Sequence, residues 1–248
     1  MPTSGNRLEG RVALITGASR GIGRASSLAL ARERANVVAV ALPSESDRLR
    51  QLRDEIRDQG TECLPVEGDA READTATRAV ALAMDRFGRV DILLNNVGIG
   101  LYTSISECSL KDYDEIMDTN MRSTFLFTSA VVPIMKQQGR GLILQIASQA
   151  GLRGFPAEAI YCASKHAQVG FSRALRLELQ PFGIKVAAIC PARVRTDFAL
   201  GRGRTPEFVA QPGFLAPEDI ADAVVFAASQ SPDARMTEIG LISLGEPI

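Results

Sequence analysis

Two side chains able to move a proton, Tyr161 and Lys165, lie four residues apart. A helix is predicted over residues 159–179, so this spacing places both side chains on one helix face. A free tyrosine has a pKa near ~10, and an adjacent ammonium in a partly desolvated cleft favours the phenolate. The spacing therefore predicts that Lys165 lowers the pKa of Tyr161. Tyr161 could then act as general acid for a carbonyl that accepts hydride, or as general base for an alcohol that loses it.

A serine follows a predicted strand over residues 142–147. The carboxyl ends of strands in open α/β sheets carry binding sites, so the Ser148 hydroxyl could hydrogen-bond a reacting oxygen. Its context, Ile146-Ala147-Ser148-Gln149-Ala150, lacks the G-x-S-x-G pattern of a serine hydrolase. A turn or helix-cap role for an isolated serine is the alternative.

The segment Thr16-Gly17-Ala18-Ser19-Arg20-Gly21-Ile22-Gly23 lies between a predicted strand and a predicted helix. Glycines allow a backbone to approach a phosphate closely, and a helix N-terminus attracts its charge. The turn predicts a pyrophosphate site, although an ordinary tight turn would also use glycines. The candidate cofactor residues here are Gly17, Ser19, Arg20, Gly21, Ile22 and Gly23.

Short apolar runs alternate with longer helical patterns along the whole chain. This alternation predicts a single Rossmann domain over residues 1–248, an α/β doubly wound fold with about seven parallel strands and helices on both faces. The predicted strands cover residues 12–16, 37–41, 63–66, 92–94, 142–147, 186–189 and 241–242. The predicted helices cover residues 22–31, 46–59, 75–87, 110–135, 159–179 and 217–228.

The composition is that of an ordinary globular chain, with 248 residues of which 46% are hydrophobic and 23% are charged. Lysine and arginine total 28 against 29 acidic residues, a net charge of −1, so we expect no nucleic acid partner. No apolar run is long enough for a membrane span, and no leader is recognisable, which favours a cytoplasmic protein. One histidine, His166, and four widely separated cysteines, at 63, 108, 162 and 190, predict neither a metal site nor a disulfide framework.

The order of these motifs resembles the short-chain dehydrogenase/reductase family. The glycine turn is followed by Asp69-Ala70, then by Asn95-Asn96-Val97-Gly98, and then by Asn120 in a helix. Ser148 comes next, Tyr161-Cys162-Ala163-Ser164-Lys165 matches Y-x-x-x-K, and 191–196, Pro-Ala-Arg-Val-Arg-Thr, is similar to P-G-x-V-x-T. The resemblance covers nearly the whole chain and implies a nicotinamide-dependent oxidoreductase.

The resemblance also implies a role for each matching residue. Ser148 would polarise the substrate, Tyr161 would exchange the proton, Lys165 would also hold the nicotinamide ribose, and Asn120 would join a water-linked proton relay. Asp69 would contact the adenine and Asn95 would brace the central strands beside the cofactor. The remaining cofactor residues implied are Ala70, Val97, Gly98, Pro191, Val194 and Thr196. The chain departs from the family pattern at Val97, Ala192 and Glu238, and the first two add bulk beside the cofactor.

The cofactor prediction is NADP(H). A dinucleotide fold that prefers NAD usually has a carboxylate at the end of the second strand, but this run ends in Ala41-Leu42-Pro43-Ser44. Arg20 and Ser44 could bind a 2′-phosphate beside Leu42. NAD(H) remains the alternative, with Arg20 as a solvated loop residue.

The substrate is predicted only by class, a carbonyl compound or secondary alcohol. The layout is similar to that of 3-oxoacyl-carrier-protein reductases, which makes a 3-oxoacyl thioester the first hypothesis. An NAD-dependent alcohol, sugar or steroid dehydrogenase and a non-enzymatic dinucleotide sensor are the alternatives. Residues 197–214 are interpreted as a substrate loop or lid, near which four arginines (193, 195, 202 and 204) could attract an anion or remain solvated.

Family members commonly form tetramers through the helices that carry Asn120 and Tyr161, which predicts a homotetramer or homodimer. The apolar stripe Val169, Leu175, Leu177 and Leu179 fits packing across such an interface and fits packing on the sheet equally well.

Overall fold

The computed structural model describes residues 6–245 and has one seven-stranded parallel sheet. The strands lie in the order β3-β2-β1-β4-β5-β6-β7, so the connection reverses direction between β1 and β4. The prediction of a doubly wound α/β fold is confirmed. The strands are β1 (Val12–Thr16), β2 (Asn36–Ala41), β3 (Cys63–Glu67), β4 (Ile92–Asn95), β5 (Gly141–Ile146), β6 (Ile184–Pro191) and β7 (Glu238–Leu241).

Helices cover both faces of the sheet. They are α1 (Gly21–Arg32), α2 (Ser46–Asp58), α3 (Ala73–Phe87), α4 (Leu110–Met117), α5 (Ser123–Gln138), α6 (Ala159–Leu179), α7 (Pro206–Val209) and α8 (Pro217–Ala228). Helices α1, α2 and α8 pack on one face around Leu30, Ile56 and Ile220, and α3, α5 and the end of α6 pack on the other around Phe127 and Leu179. The central strands are buried on both faces, which is why they are apolar without alternation.

The predicted helix over residues 110–135 is interrupted. Its periodicity continues through Asp118–Arg122, but that segment forms a wide π-type turn between α4 and α5. The hydrogen bonds of a π turn span one residue more than those of an α-helix, and a single extra residue is too small a change for a hydrophobic pattern to reveal. The consequence is local, because Asn120 lies inside this wide turn.

The predicted last strand is displaced. The structure places β7 at Glu238–Leu241, pairing Glu238 with Ala188 and Leu241 with Pro191, and Ile242 lies beyond it. The strand is at the sheet edge and only half-buried, so its sequence lacks the continuous apolar run that marked the inner strands.

The long loop before α8 contains a short helix, α7, which the sequence analysis did not predict. Thr205 caps it by accepting a hydrogen bond from the Phe208 backbone. Two backbone hydrogen bonds join the ends of the loop. The Arg195 N–H donates to the Leu215 carbonyl oxygen and the Leu215 N–H donates to the Arg193 carbonyl oxygen, both at 2.9 Å. Among residues 6–245, no helix is both long and apolar enough to cross a bilayer.

Candidate active site

A cleft of ≈ 1300 Å³ opens at the carboxyl ends of the strands, across the reversal between β1 and β4. This is where open parallel sheets bind their ligands. Sixteen of the predicted site residues line it: Gly17, Ser19, Arg20, Gly21, Ile22, Leu42, Asp69, Ala70, Val97, Gly98, Ser148, Tyr161, Lys165, Pro191, Val194 and Thr196. Gly23, Ser44, Asn95 and Asn120 are not among the lining residues.

The glycine turn after β1 fits a pyrophosphate. Gly17 and Gly21 have φ of 64° and 54°, and a Cβ on Gly23 would lie 2.1 Å from the Gly17 carbonyl oxygen. The turn leads into α1, whose N-terminus has no side-chain cap and no acidic residue in its first turn. Backbone N–H groups at such an end lack partners within the helix and attract an anion. The residues present therefore suit the phosphates of a dinucleotide.

Asn96, which sequence analysis gave no role, holds this turn in place. Its Nδ2 donates to the Thr16 and Gly17 carbonyl oxygens at 2.9 and 3.1 Å, and its backbone N–H donates to Thr16 Oγ1 at 2.9 Å. Asn95, the residue predicted to brace the central strands beside the cofactor, is buried and donates to Thr128 Oγ1 at 3.0 Å. Of the two adjacent asparagines, Asn96 therefore bonds the glycine turn and Asn95 bonds α5.

The end of the cleft beside β2 carries charges of both signs. Leu42 and Glu45 line it, and the Glu45 carboxylate is paired with Arg48 at 3.0 Å. Arg20 lies on the other side, 3.9 Å from Asp197 and more than half exposed. A ribose-binding carboxylate is usually sought at the end of the second strand. Glu45 was missed because it lies beyond that end, in a single helical turn.

Asp69 follows β3 and lines the cleft beside Ala70. Its carboxylate accepts hydrogen bonds from Arg71, at 2.6 Å from Nη2 and 2.9 Å from the backbone N–H. The Arg71 guanidinium is the main cause of the lowered pKa of Asp69. Asp69 is therefore a fixed, ionised hydrogen-bond acceptor at neutral pH.

Ser148 lies next to Tyr161 because β5 ends where α6 passes. The short turn Gln149–Gly151 packs directly on α6, where a Cβ on Gly151 would lie 2.7 Å from the Lys165 carbonyl oxygen. The Ser148 hydroxyl accepts the Ala150 N–H at 3.1 Å, and its own hydrogen bond to Tyr161 lowers the pKa of that phenol. Both residues line the cleft.

The expectation that Lys165 lowers the pKa of Tyr161 is wrong for this arrangement. Burial raises the pKa of Tyr161 above its ordinary value, the neighbouring Tyr102 adds to this, and Ser148 and Arg204 oppose it only in part. The Lys165 Nζ lies 5.7 Å from the centre of the Tyr161 ring and donates elsewhere, to the Ile146 carbonyl oxygen at 3.0 Å and Gln168 Oε1 at 2.8 Å. Burial lowers the pKa of Lys165 to about 7. Desolvation outweighs the attraction expected from their spacing.

Asn120 is wholly buried, and its side chain braces the loop after β4. Its Oδ1 accepts the Ile99 N–H at 2.8 Å, and its Nδ2 donates to the Ile99 carbonyl oxygen and Ser164 Oγ, both at 2.9 Å. Gly98 passes against it, and a Cβ there would lie 3.4 Å from both Asn120 Oδ1 and Lys165 Nζ. The asparagine thus fixes the backbone of the loop after β4, and its predicted part in a water-linked proton relay stays a prediction.

The segment after β6 reaches back to the glycine turn. A Cβ on Gly21 would lie 3.2 Å from Thr196 Cγ2, and Thr196 Oγ1 accepts the Phe198 N–H at 3.2 Å. Val97 and Ala192, two departures from the family pattern, both line the cleft. Glu238, the third, lies outside the lining and pairs with Arg173 on α6 at 2.7 Å.

An aromatic wall that the sequence analysis did not predict faces Tyr161. The Phe198 ring lies 5.7 Å from that of Tyr161, and the Arg204 guanidinium lies 4.8 Å from the Tyr102 ring and 5.4 Å from the Phe198 ring. Of the other loop arginines, Arg202 is paired with Glu115 at 2.9 Å and Arg195 is exposed outside the lining. Glu158 also lines the wall, and burial raises the pKa of its carboxyl group.

Comparison with known proteins agrees with this geometry. The family model described as short chain dehydrogenase matches residues 11–206. The chain belongs to this family. It is 34% identical over 232 residues to a 3-oxoacyl-[acyl-carrier-protein] reductase of Synechocystis sp., covering 93% of this chain and 94% of the relative.

Solved structures of short-chain dehydrogenases have the same fold. An alcohol dehydrogenase from Thermococcus sibiricus complexed with 5-hydroxy-NADP has a TM-score of 0.87 and 29% identity, covering 96% of this chain and 98% of that one. A short chain dehydrogenase from Mycobacterium paratuberculosis bound to NAD has a TM-score of 0.86 and 30% identity, with the same coverage. The chain is an oxidoreductase acting on carbonyl or alcohol groups with a nicotinamide dinucleotide as cofactor. The resemblance stated from the motifs is thereby confirmed.

Proposed function

We propose that this short-chain dehydrogenase reduces a ketone with NADPH, using Ser148, Tyr161 and Lys165. The observation that carries the proposal is the juxtaposition of the Ser148 and Tyr161 hydroxyls in the cleft that also contains the glycine turn. The nicotinamide supplies the hydride when bound. A sensor without catalysis would need the same dinucleotide site but not these two hydroxyls.

The proton chemistry follows from the two hydroxyls. Tyr161 donates its phenolic proton to the carbonyl oxygen as negative charge develops there, and Ser148 donates a hydrogen bond to the same oxygen. The raised pKa keeps the phenol protonated at neutral pH, which is the form that reduction uses. Alcohol oxidation runs through the same groups in reverse and needs the phenolate.

The proposed cofactor preference is for NADP(H). Its support is the absence of a carboxylate within β2, which ends in Ala41, together with the Arg20 guanidinium in the lining of the cleft. A 2′-phosphate there would exchange the weak 3.9 Å contact between Arg20 and Asp197 for a charge-assisted hydrogen bond. Glu45 favours the second candidate, NAD(H), because its carboxylate lines the same end of the cleft and could accept the 2′-hydroxyl.

The proposed substrate is a 3-oxoacyl thioester. The name of the Synechocystis relative supports it, and so do three apolar side chains of the cleft lining, Phe155, Phe198 and Leu200, which offer surface to an acyl chain. Residues 197–214 would close over that chain as a lid, and Arg204 would present its guanidinium to the second carbonyl.

The proposed assembly is a cytoplasmic homotetramer or homodimer. Three side chains of the apolar stripe on α6 are turned inward, since Val169, Leu175 and Leu179 pack in the core. Leu177 is exposed, as are Leu110, Tyr113 and Phe125 on the neighbouring helices α4 and α5, which gives these helices an apolar outer surface. Light scattering should give the mass of a dimer or tetramer, and a monomer would contradict this proposal.

The function is tested by a panel of 3-oxoacyl thioesters, simple ketones, steroids and sugars, each assayed with NADPH and with NADH. We expect turnover of the thioesters with NADPH, which is measured as the loss of the absorbance of the reduced nicotinamide. Binding of either cofactor without turnover of any carbonyl or alcohol would instead identify a dinucleotide sensor. Turnover with NADH alone would move the assignment to the NAD-dependent dehydrogenases.

A further inference from the structure

Gln168, which neither the motif pattern nor the predicted site includes, lies wholly buried between two parts of the active site. It follows Lys165 by three residues on α6, so both side chains lie on one helix face. Its Oε1 accepts a hydrogen bond from Lys165 Nζ at 2.8 Å. Its Nε2 donates to the Asn120 carbonyl oxygen at 2.7 Å and to Thr124 Oγ1 at 3.0 Å.

The orientation of this amide is fixed by its partners. A main-chain carbonyl can only accept hydrogen bonds and an ammonium can only donate them. The Gln168 nitrogen must therefore face Asn120 and its oxygen must face Lys165. Since Asn120 lies in the wide turn between α4 and α5, the amide connects that turn to the lysine on α6.

Lys165 has three N–H donors, and two have acceptors, the Ile146 carbonyl oxygen on β5 and Gln168 Oε1. One donor is left for the cleft that the amine lines. The titratable groups beside the amine are Tyr161 on α6 and Cys190 on β6, and burial raises the pKa of both. Neither supplies a negative charge at neutral pH, so the neutral acceptors of Ile146 and Gln168 are what stabilise the ammonium.

We propose that Gln168 is a positioning residue that holds the ammonium of Lys165 toward the cleft and links it to the turn of Asn120. The role in catalysis rests on the proposed function, but the effect on Lys165 does not. Removing the amide oxygen takes a hydrogen bond from the Lys165 ammonium and should lower the pKa of that amine. Replacing the amide by a carboxylate adds a negative charge beside the ammonium and should raise the pKa.

The test is a pair of substitutions with opposite effects, Gln168→Leu and Gln168→Glu. If carbonyl reduction requires the protonated form of Lys165, its rate falls as pH rises through the pKa of that amine. Gln168→Leu should therefore move the alkaline limb of kcat/KM to lower pH by roughly one unit, and Gln168→Glu should move it to higher pH. Gln138→Leu is the matched control, since the Gln138 amide also hydrogen-bonds backbone groups, the N–H and the carbonyl of Val90, but Gln138 does not line the cleft.

A second readout needs no activity. The chain has four lysines, at positions 111, 136, 165 and 185, so the Nζ resonance of Lys165 can be assigned by comparison with Lys165→Arg and titrated by nitrogen NMR. Opposite shifts of its pKa in the two variants support the proposal even if no substrate is turned over. The proposal is overturned if neither the Lys165 titration nor the pH profile changes, even if the Tm of the Gln168 variants falls as that of Gln138→Leu does. If Gln168→Glu does not fold, the direction of the shift in Gln168→Leu decides.

Discussion

The chemistry at the Tyr161 hydroxyl is governed by burial. Desolvation raises the pKa of this phenol, and the hydrogen bond from Ser148 and the charge of Arg204 offset only part of the effect. A buried neutral phenol is a proton donor at pH 7, whereas a general base would need the ionised form. At the residue scale, this arrangement agrees with the proposed role of Tyr161 as the proton donor.

We expect the choice between NADPH and NADH to depend on single residues at the end of the cleft beside β2. Arg20→Ala should raise the Kd for NADPH about tenfold, the value of one charge-assisted hydrogen bond, and leave that for NADH nearly unchanged. Glu45→Gln should weaken NADH alone if its carboxylate binds the 2′-hydroxyl. Both dissociation constants can be measured by calorimetry.

Arg24→Ala is the matched control for the Arg20 substitution, because Arg24 lies in the first turn of α1, close to Arg20 in the chain, but pairs with Glu55 and does not line the cleft. An equal loss of affinity for both cofactors in Arg20→Ala would show that this arginine does not recognise a 2′-phosphate.

At this scale, the contacts of a residue can be predicted from the sequence only when its partners are near in the chain. Tyr161 and Lys165 could be paired from helical spacing alone. The link from Gln168 to the wide turn could not, because Asn120 and Thr124 are 48 and 44 residues away, although its third partner, Lys165, is only three residues away. The pKa of Tyr161 could not be predicted either, since the spacing shows the lysine but not the burial or the two acceptors that hold the amine.

Strand β4 delivers the loop after it to the glycine turn, and a buried carboxylate fixes its start. Asp91 accepts hydrogen bonds from Arg11, Arg89 and the Val12 N–H, and these outweigh burial and lower its pKa. Asp91→Asn should reduce the free energy of unfolding by about 2 kcal/mol at pH 7. Urea unfolding measures this.

The pH dependence gives a second check on Asp91. A carboxyl whose pKa is lowered in the folded state stabilises the fold fully above its unfolded pKa, near ~4, and this stabilisation is lost as pH falls through the folded pKa. The variant and the parent should therefore converge in stability at acid pH. Asp74→Asn, at an exposed carboxylate 3.7 Å from Arg78, is the control and should change little. A difference that persists unchanged into acid would contradict the assignment.

The strands and helices themselves were largely predictable because buried parallel strands are continuously apolar and the helices are amphipathic. The wide turn at Asp118–Arg122 was not, since one extra residue barely alters the helical pattern. Nor was the edge strand Glu238–Leu241, whose first residue is a charged partner of Arg173 rather than a core side chain.

On the scale of the whole molecule, the cleft exists because distant segments meet at the reversal between β1 and β4. The glycine turn follows β1, Gly98 follows β4, Ser148 follows β5, and Thr196 returns from β6 onto Gly21. Sequence motifs predicted this convergence because parallel strands all end at one edge. They did not predict the wall of Tyr102, Phe198 and Arg204, which depends on the folding of the loop before α8.

The central claim is that this assembled cleft transfers hydride with Tyr161 as the proton donor. Tyr161→Phe removes only the hydroxyl, and Tyr113→Phe, on a half-exposed ring outside the cleft lining, is its control. The most direct measurement is single-turnover oxidation of bound NADPH by a 3-oxoacyl thioester, with the Kd for NADPH determined in the same samples. We expect Tyr161→Phe to lower the rate by roughly 10²–10⁴-fold while cofactor affinity changes little. A Tyr161→Phe enzyme that reduces the thioester as fast as the control, or one that loses NADPH binding as completely as turnover, would contradict the account.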